Sequence, residues 1–138
     1  SIKEKEKKTT SKMDGIPHLP ALIKAEKIQK KAAKAGFDWN HTDDAIKKIT
    51  EETQEFKEEL KKNHNHEKIE EEAGDLLFAI INVLRKENIN PETALRKTNN
   101  KFIARYKKME TLAPNFNSLT LTQKEKLWQQ AKHLIKTK

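Results

Sequence analysis

The sequence predicts an all-α fold, and three observations support this prediction. Only 3 Gly and 4 Pro occur among 138 residues, which is few for a sheet protein with many tight turns. Lys, Glu, Ala and Leu, which favour helices, are abundant. Apolar residues also recur at intervals of three and four along most of the chain. We therefore expect a bundle of helices joined by short loops.

The first two predicted helices occupy the first half of the chain. Pro20 begins a helix that ends at Gly36, and Phe37 to Trp39 form a loop. Thr42 or Asp43 is expected to cap a second helix that reaches about Lys62. The apolar stripe of the second helix consists of Ala45, Ile49, Phe56 and Leu60.

Three further helices are predicted in the second half of the chain. The third runs from about Glu67 to Glu87 and should be the central one, because it is the most apolar. Asn90 and Pro91 are a typical cap and first residue for a fourth helix that reaches Met109. Thr122 and Glu125 form a predicted capping box for the last helix. The side chains expected inside the fourth helix are Ala94, Leu95, Phe102 and Tyr106.

The third helix is apolar on nearly every side between Leu76 and Leu84. The chain is 34% hydrophobic with a mean hydropathy of -0.97, so its own core is thin. A helix with apolar residues on more than one side must bury its second side against something else. We therefore expect a homodimer.

The absence of cysteine and of long apolar runs limits the classes of protein to consider. With no Cys, disulfides, thiolate metal sites and a cysteine nucleophile are excluded, and a reducing cytoplasm suits the chain. No apolar run approaches the ~20 residues of a membrane span, and the Lys/Glu-rich beginning lacks a hydrophobic signal segment. We expect a cytoplasmic protein without a membrane partner. Residues 1–13 are interpreted as a linker or tail from a longer protein, and residues 14–138 as one domain.

A net charge of +8 favours an anionic ligand. The Lys residues are scattered among Glu rather than gathered in one basic block, so charge alone does not identify that ligand. A basic helical module that binds nucleic acid is the rival interpretation. It explains the charge but not the acidic residues described next, so nucleic acid is the less favoured partner.

Two pairs of acidic residues interrupt the apolar pattern of neighbouring helices. Glu52 lies on the apolar stripe of the second helix, with Glu55 one turn further on. Glu72 and Asp75 have the same spacing at the start of the apolar run of the third helix. Desolvated like charges are unfavourable together, and a hard divalent cation removes the conflict. Because Mg²⁺ prefers oxygen ligands and shares its remaining positions with phosphates, the pairs predict a magnesium site for phosphate chemistry.

A solvated surface is the competing explanation for any one such pair in a Lys/Glu-rich chain. Two pairs on consecutive helices favour a site, and so does the neighbouring Gly74, since a glycine within a helix costs about 1 kcal/mol and indicates close packing or a close ligand. Two other kinds of site are excluded. No His follows a Glu by three residues, as a di-iron bundle requires, and none of the glycines begins a P-loop.

The acidic motif resembles a known signature. Glu52-x-x-Glu55 followed by Glu72-x-x-Asp75 is similar to the ExxE…ExxD motif of the MazG family. The resemblance extends from about Asp14 to the end of the chain, and it is strongest to the second, catalytic domain of two-domain bacterial MazG proteins. The segments that carry it are LPALIKAEKIQKKAAKAGFDW, KITEETQEF, EEEAGDLLFAIINVLR, ALRKTNNKFIARYKKME and KLWQQAK.

This resemblance implies an all-α NTP pyrophosphohydrolase that is active as a homodimer and converts NTPs, and dNTPs, to nucleoside monophosphate and pyrophosphate. The implied biological role is house-cleaning or control of the nucleotide pool. The resemblance also implies a set of catalytic acids that bind Mg²⁺, with Mn²⁺ as a substitute: Glu52, Glu55, Glu72 and Asp75. The implied substrate-binding residues are Lys48, Lys68, Asp75, Lys101, Arg105 and Trp128.

Each basic or aromatic residue in that set also has a structural explanation. Lys48 and Lys68 each precede an acid by one turn and could form surface ion pairs worth under about 1 kcal/mol. Lys101 and Arg105 place two cations on one helix face, which favours an anion between them over a solvated face. Trp128 could stack on a base or pack in a core, and Trp39 is assigned to packing with base contact as the lesser alternative.

The mechanism that these residues indicate is metal-assisted hydrolysis of the bond between the α and β phosphates. Glu52 or Glu55 is expected to take the proton of the attacking water. The sequence leaves open whether water attacks the α or the β phosphorus, because the products are identical.

Overall fold

Helices account for nearly all of the secondary structure. The computed structural model describes residues 11–62 and 65–135, and in these ranges it contains five α-helices, one short 3₁₀ turn and no strand. The all-α prediction is confirmed. None of the helices in the described ranges is long and apolar enough to cross a membrane. The elements are α1 (Ala21–Lys34), α2 (Thr42–Lys62), α3 (His66–Lys86), α4 (Pro91–Leu112), the 3₁₀ turn (Phe116–Ser118) and α5 (Leu121–Leu134).

Pro91 is the first residue of α4, and the Oδ1 atom of Asn90 accepts a hydrogen bond of 2.9 Å from the backbone N–H of Glu92. This start agrees with the prediction. The third helix has a similar cap, since Oδ1 of Asn65 accepts from the backbone N–H of Lys68 at 3.2 Å. Both caps satisfy donors that a helix start leaves without partners.

The capping box predicted at Thr122 and Glu125 is wrong, because the box lies two residues earlier at Thr120 and Gln123. The Thr120 hydroxyl accepts from the Gln123 backbone N–H at 3.2 Å, and the Gln123 side chain accepts from the Thr120 N–H at 2.9 Å. The sequence offers both boxes, and packing selects between them. Leu119 packs against the local core directly before Thr120, so the chain enters the helix at that point.

The chain divides into two compact units, residues 1–92 and 93–138. In the first unit α3 packs against both α1 and α2, so it has the central place that its composition predicts. Its buried apolar side chains include Ala45, Ala79 and Ile81. Among the described residues of this unit, two polar side chains are also buried, Gln29 on α1 and Glu52 on α2.

The second unit has a small core of its own. Met109, Phe116 and Ala131 form a buried cluster, and partly buried side chains of Leu119, Leu127 and Trp128 pack against it. Aromatic contacts extend this cluster. The Tyr106 and Phe116 rings meet edge to face at 5.2 Å, and the Phe102 and Trp128 rings are 5.3 Å apart.

Several apolar side chains predicted to lie inside are exposed in the single chain. Leu95, Phe102 and Tyr106 are 51%, 54% and 39% exposed, so the prediction that α4 buries them within the chain is wrong. On α3 the second apolar side is exposed as well, with Leu77 at 60%. Periodicity identifies which residues share a face but not which surface covers that face.

Gly74 has more room than its position in α3 suggested. A Cβ built on this glycine meets no atom within 4 Å, so the expectation of close packing within the chain is wrong. The Gly74→Ala substitution should raise the free energy of unfolding by about 0.5–1 kcal/mol, because alanine loses less backbone entropy in a helix. Urea denaturation followed by circular dichroism measures this change.

Gly36→Ala is the matched control. A Cβ there also meets nothing within 4 Å, but φ is +92°, so alanine should destabilise by about 1 kcal/mol. Destabilisation by Gly74→Ala would mean that something outside the described chain approaches α3 at this point.

Candidate active site

Three carboxylates meet where α2 faces α3. One oxygen from each of Glu52, Glu55 and Glu72 lies within 4.8 Å of the other two. Helix α2 supplies the first two residues one turn apart, and α3 supplies the third. The structure thus brings together three of the four acids that the motif indicates.

Glu52 is the buried member of this cluster, with 6% of its surface exposed. Its Oε1 atom is 3.1 Å from Nζ of Lys48, which is also 3.4 Å from Oε2 of Glu51. The bond to Glu52 raises the pKa of Lys48 most, and the bond to Glu51 raises it further. The Oε2 atom of Glu52 is buried and has no hydrogen-bond partner in the structure. A buried carboxylate is thus only half satisfied.

Glu72 on α3 also lacks a hydrogen-bond partner for one of its oxygens. Its Oε2 atom is buried without a hydrogen-bond partner. Burial raises the pKa of Glu72 most, and the charges of Glu55 and Asp75 raise it further, while Lys68 opposes them. Ionised Glu72 therefore stands in surroundings that are short of positive charge.

Asp75 stands beside the cluster rather than in it. Among the described residues, the group that could share one metal ion consists of Glu52, Glu55 and Glu72. Asp75 acts on Glu72 through its charge and lines a cavity next to Glu52.

This donor set fits a hard divalent cation. Carboxylate oxygens are the ligands that Mg²⁺ prefers, and the usual Mg²⁺ site combines one or two protein carboxylates with waters and phosphates. The two unpartnered oxygens of Glu52 and Glu72 are atoms that such a cation would satisfy. The cluster could therefore hold Mg²⁺ and leave positions for a phosphate ligand.

A cavity of about 670 Å³ adjoins the buried acid of the cluster. Its wall carries charged groups from Asp38, Lys48, Glu52 and Asp75 and amides from Gln29 and Asn82. Most of the remaining wall is apolar, formed by Met13, Ile28, Ala32, Phe37, Trp39, Phe78 and Ala79. A largely apolar cavity of this size with a few polar groups is typical of a small-molecule site.

The loop that carries Trp39 is tied to the end of α3. Arg85 donates to both oxygens of Asp38, from Nη2 to Oδ1 at 2.6 Å and from Nη1 to Oδ2 at 3.1 Å. Lys86 donates to Asp38 Oδ2 at 3.3 Å and also to the carbonyl of Trp39. The bonds to Arg85 are the largest cause that lowers the pKa of Asp38 to about 2. These contacts fix one side of the cavity.

Lys68 is exposed on α3, one turn before Glu72. Three other predicted nucleotide contacts lie in the second unit: Lys101, Arg105 and Trp128. Lys101 and Arg105 are half-buried and one turn apart on α4. The Arg105 guanidinium lies 5.4 Å from the centre of the Trp128 ring, and its Nε is buried without a partner in the structure. Trp128 packs against the core of that unit, as the structural explanation requires, and its contact with a base stays a prediction.

Known proteins share this sequence pattern. A family model for the MazG nucleotide pyrophosphohydrolase domain matches residues 41–110, which is just over half of the 138 residues. The nucleoside triphosphate pyrophosphohydrolase/pyrophosphatase MazG of Thermotoga maritima is 41% identical over 134 residues, 94% of this chain and 51% of the relative. The chain belongs to the MazG family.

Two further relatives are similar to this chain. The nucleoside triphosphate pyrophosphohydrolase of Escherichia coli K12 is 39% identical over 128 residues, 88% of this chain and 49% of the relative. The uncharacterized protein YabN of Bacillus subtilis is 43% identical over 138 residues, 95% of this chain and 28% of the relative. The chain spans about half the length of the Thermotoga and Escherichia MazG-family relatives. The range matched by the MazG model contains both acid pairs.

Sequence reasoning missed two features of this MazG domain. One is the Asp38 and Arg85 ion pair, which joins residues 47 positions apart, and no local spacing reveals such a pair. The other is Gln29, which is 5% exposed and lines the cavity. It shares a helical stripe with Leu22, Ala25 and Ala32, so a polar residue at an apolar position was a signal that could have identified it.

We expect Asp38→Asn to lower the free energy of unfolding by about 1 kcal/mol at pH 7, because it removes a charge-assisted, bidentate contact that is partly screened by solvent. The folded pKa of Asp38 is about 2, below its ordinary 3.8. Its contribution is therefore present above pH 3.8 and is lost as the pH falls through about 2. Urea denaturation at pH 7, 4 and 2.5 follows this loss.

The double variant provides the control for this ion pair. In an Arg85→Met background, Asp38→Asn should cost much less, since the main partner is already absent. An equal cost in both backgrounds would contradict the assignment of the effect to Arg85.

Glu72→Gln should stabilise the protein at pH 7 in the presence of a chelator, because it removes a charge whose ionisation the folded state disfavours. The pKa of Glu72 is raised in the folded state, so its penalty is absent below the ordinary value of 4.5, grows between 4.5 and the folded pKa, and is complete above the folded pKa. Thermal unfolding of wild type and variant from pH 4 to pH 8 measures the difference. The control is Glu71→Gln at the exposed neighbouring position, and an equal shift there would contradict the explanation.

Proposed function

We propose that this MazG domain hydrolyses nucleoside triphosphates, and deoxynucleoside triphosphates, to the monophosphate and pyrophosphate with Mg²⁺ as cofactor. The observation that carries the proposal is the cluster of Glu52, Glu55 and Glu72 with two buried oxygens that lack partners. The Thermotoga and Escherichia relatives are named nucleoside triphosphate pyrophosphohydrolases, and this supports the choice of reaction.

Glu52, Glu55 and Glu72 would hold the metal. Asp75 is proposed as a fourth acid of the site, because its negative charge acts on Glu72. A bound divalent ion supplies Lewis acidity that offsets phosphate charge and favours ionisation of water. Mn²⁺ accepts similar oxygen ligands and should substitute for Mg²⁺.

Glu55 is the better candidate for the base that accepts the proton of the attacking water. Glu52 has one oxygen bound to Lys48 and the other buried, whereas Glu55 is exposed. A general base must lie within hydrogen-bond reach of its water, and an exposed carboxylate meets this condition more easily.

The positive charges needed for the phosphates are assigned to Lys48, Lys68, Lys101 and Arg105. Lys48 lines the cavity beside Glu52, and its contacts with Glu51 and Glu52 could be exchanged for a phosphate once a cation satisfies the acids. Lys101 and Arg105 are two cations one turn apart, which an anion would stabilise. Trp128 is kept as a proposed base contact that competes with its packing role.

The nucleoside is proposed to occupy the cavity next to Glu52. The wall there is largely apolar and includes the rings of Phe37, Trp39 and Phe78, which suits a flat heterocycle. The acids at one side of the wall fit a triphosphate that is bound through a cation.

We also propose that the protein is a homodimer that acts on the cytoplasmic nucleotide pool, with house-cleaning or control of that pool as its role. The exposed apolar side of α3, where Leu77 is 60% exposed, supports a second chain as its cover. Sedimentation of the purified chain measures the assembly.

The test is pyrophosphate release from a panel of NTPs and dNTPs. Wild type should turn over substrates with Mg²⁺ or Mn²⁺ and lose activity in a chelator, because phosphate charge is then not offset. Glu72→Gln should lower kcat/KM by at least about a hundredfold, the scale of losing a metal-holding carboxylate.

Glu71→Gln is again the matched control, because it removes one carboxylate from the same helix at an exposed position. It should keep its activity within about twofold. Turnover that persists in a chelator, or that survives Glu72→Gln, would contradict the proposed site. Salt-sensitive binding of nucleic acid without any turnover would favour the rival class instead.

A further inference from the structure

Gln29 is a buried amide in the wall of the cavity. It is 5% exposed, and its Nε2 atom donates a hydrogen bond of 2.9 Å to the backbone carbonyl of Phe78. Its Oε1 atom is buried and has no hydrogen-bond partner in the structure. The amide therefore uses its donor and leaves its acceptor unsatisfied.

The bond to Phe78 fixes the orientation of the amide. A carbonyl can only accept, so the NH₂ group must face Phe78 and the oxygen must point away from it. An unsatisfied buried acceptor is costly, and buried polar groups without partners are rare in native proteins. Gln29 is one of the residues that line the cavity, and a ligand there whose donor reached this oxygen would remove the cost.

The surroundings of Gln29 favour a heterocycle over a sugar as the source of that donor. Ile28, Ala32 and Phe78 line the same cavity, and an apolar wall suits a flat ring better than a ribose with several hydroxyls.

We infer that Gln29 accepts a hydrogen bond from an N–H group on the edge of the substrate's nucleobase. The inference rests on the proposed function, because it takes a nucleotide as the occupant of the cavity. Adenine and cytosine offer an amino N–H, while guanine, uracil and thymine offer a ring N–H. A single acceptor at Gln29 thus tolerates every common base and disfavours a base that has no N–H at its pairing edge.

Binding of two non-hydrolysable nucleotides tests this role without any need for turnover. The probes are α,β-methylene-ATP and the same analogue of purine riboside triphosphate, which lacks the amino group and so has no N–H at that edge. Calorimetry with MgCl₂ should show that wild type binds the adenine compound about tenfold more tightly, the usual worth of one hydrogen bond. Gln29→Met should reduce this preference to within about twofold by weakening the adenine compound.

Gln54→Met is the matched control, since it makes the same change at an exposed position on α2 and should keep the tenfold preference. Both nucleotides are measured on the same preparation of each variant. If part of a variant is unfolded, the binding stoichiometry falls but the ratio of the two affinities does not change. α,β-Methylene-dATP separates the sugar from the base as the source of the donor. Equal wild-type affinities, a preference that survives Gln29→Met, absence of binding, or a Gln29 effect confined to ribose against deoxyribose would each overturn the inference. Selective binding without hydrolysis would instead leave it standing and reject the proposed reaction.

Discussion

Repulsion among Glu52, Glu55 and Glu72 is the constraint on which the rest of the site depends. Three carboxylates share one small region, and two of their oxygens are buried without partners. Lys48 offsets part of this charge at Glu52, but Glu72 still ionises less readily than an ordinary glutamate. A fold that kept these acids for stability alone would gain by replacing one with an apolar residue. A ligand that carries positive charge would remove this conflict, which is why the cluster supports the proposed metal site.

Helix α3 connects this cluster to the remainder of the first unit through three successive contacts. Glu72 joins the acids near its beginning, the carbonyl of Phe78 holds the Gln29 amide of α1 in its middle, and Arg85 holds Asp38 near its end. The cavity is lined by residues of α1, α2, α3 and the loop after α1. One helix thus carries all three contacts, which links the position of the acids to that of the cavity wall. Such an arrangement suits the proposed metal-assisted chemistry, which depends on positioned groups.

The fold class and the acid pairs could be predicted because both depend on local spacing. Helical periodicity identified five helices, and Glu52 was evident as a charge on an apolar stripe. Contacts between distant residues were not accessible in this way. The ion pair of Asp38 and Arg85 joins the loop after α1 to the end of α3. The position of the capping box at Thr120 rather than Thr122 depends on the packing of Leu119. The cost of Gly74 within a helix indicated close packing or a close ligand, and the structure rules out only the packing within the described chain.

Gln29 and Glu52, the buried polar residues among those described in the first unit, share the same physical features. Each replaces an apolar residue on a helical stripe, each is at least nine-tenths buried, and each has one oxygen that the protein leaves unsatisfied. Burial costs the carboxylate of Glu52 more than the neutral amide of Gln29, so the sequence indicates Glu52 more clearly. Phe78 satisfies the donor of Gln29, and its acceptor has no partner in the structure. An interruption of an apolar stripe therefore identifies where a ligand could act, and the count of unmet hydrogen bonds decides what chemistry that ligand must bring.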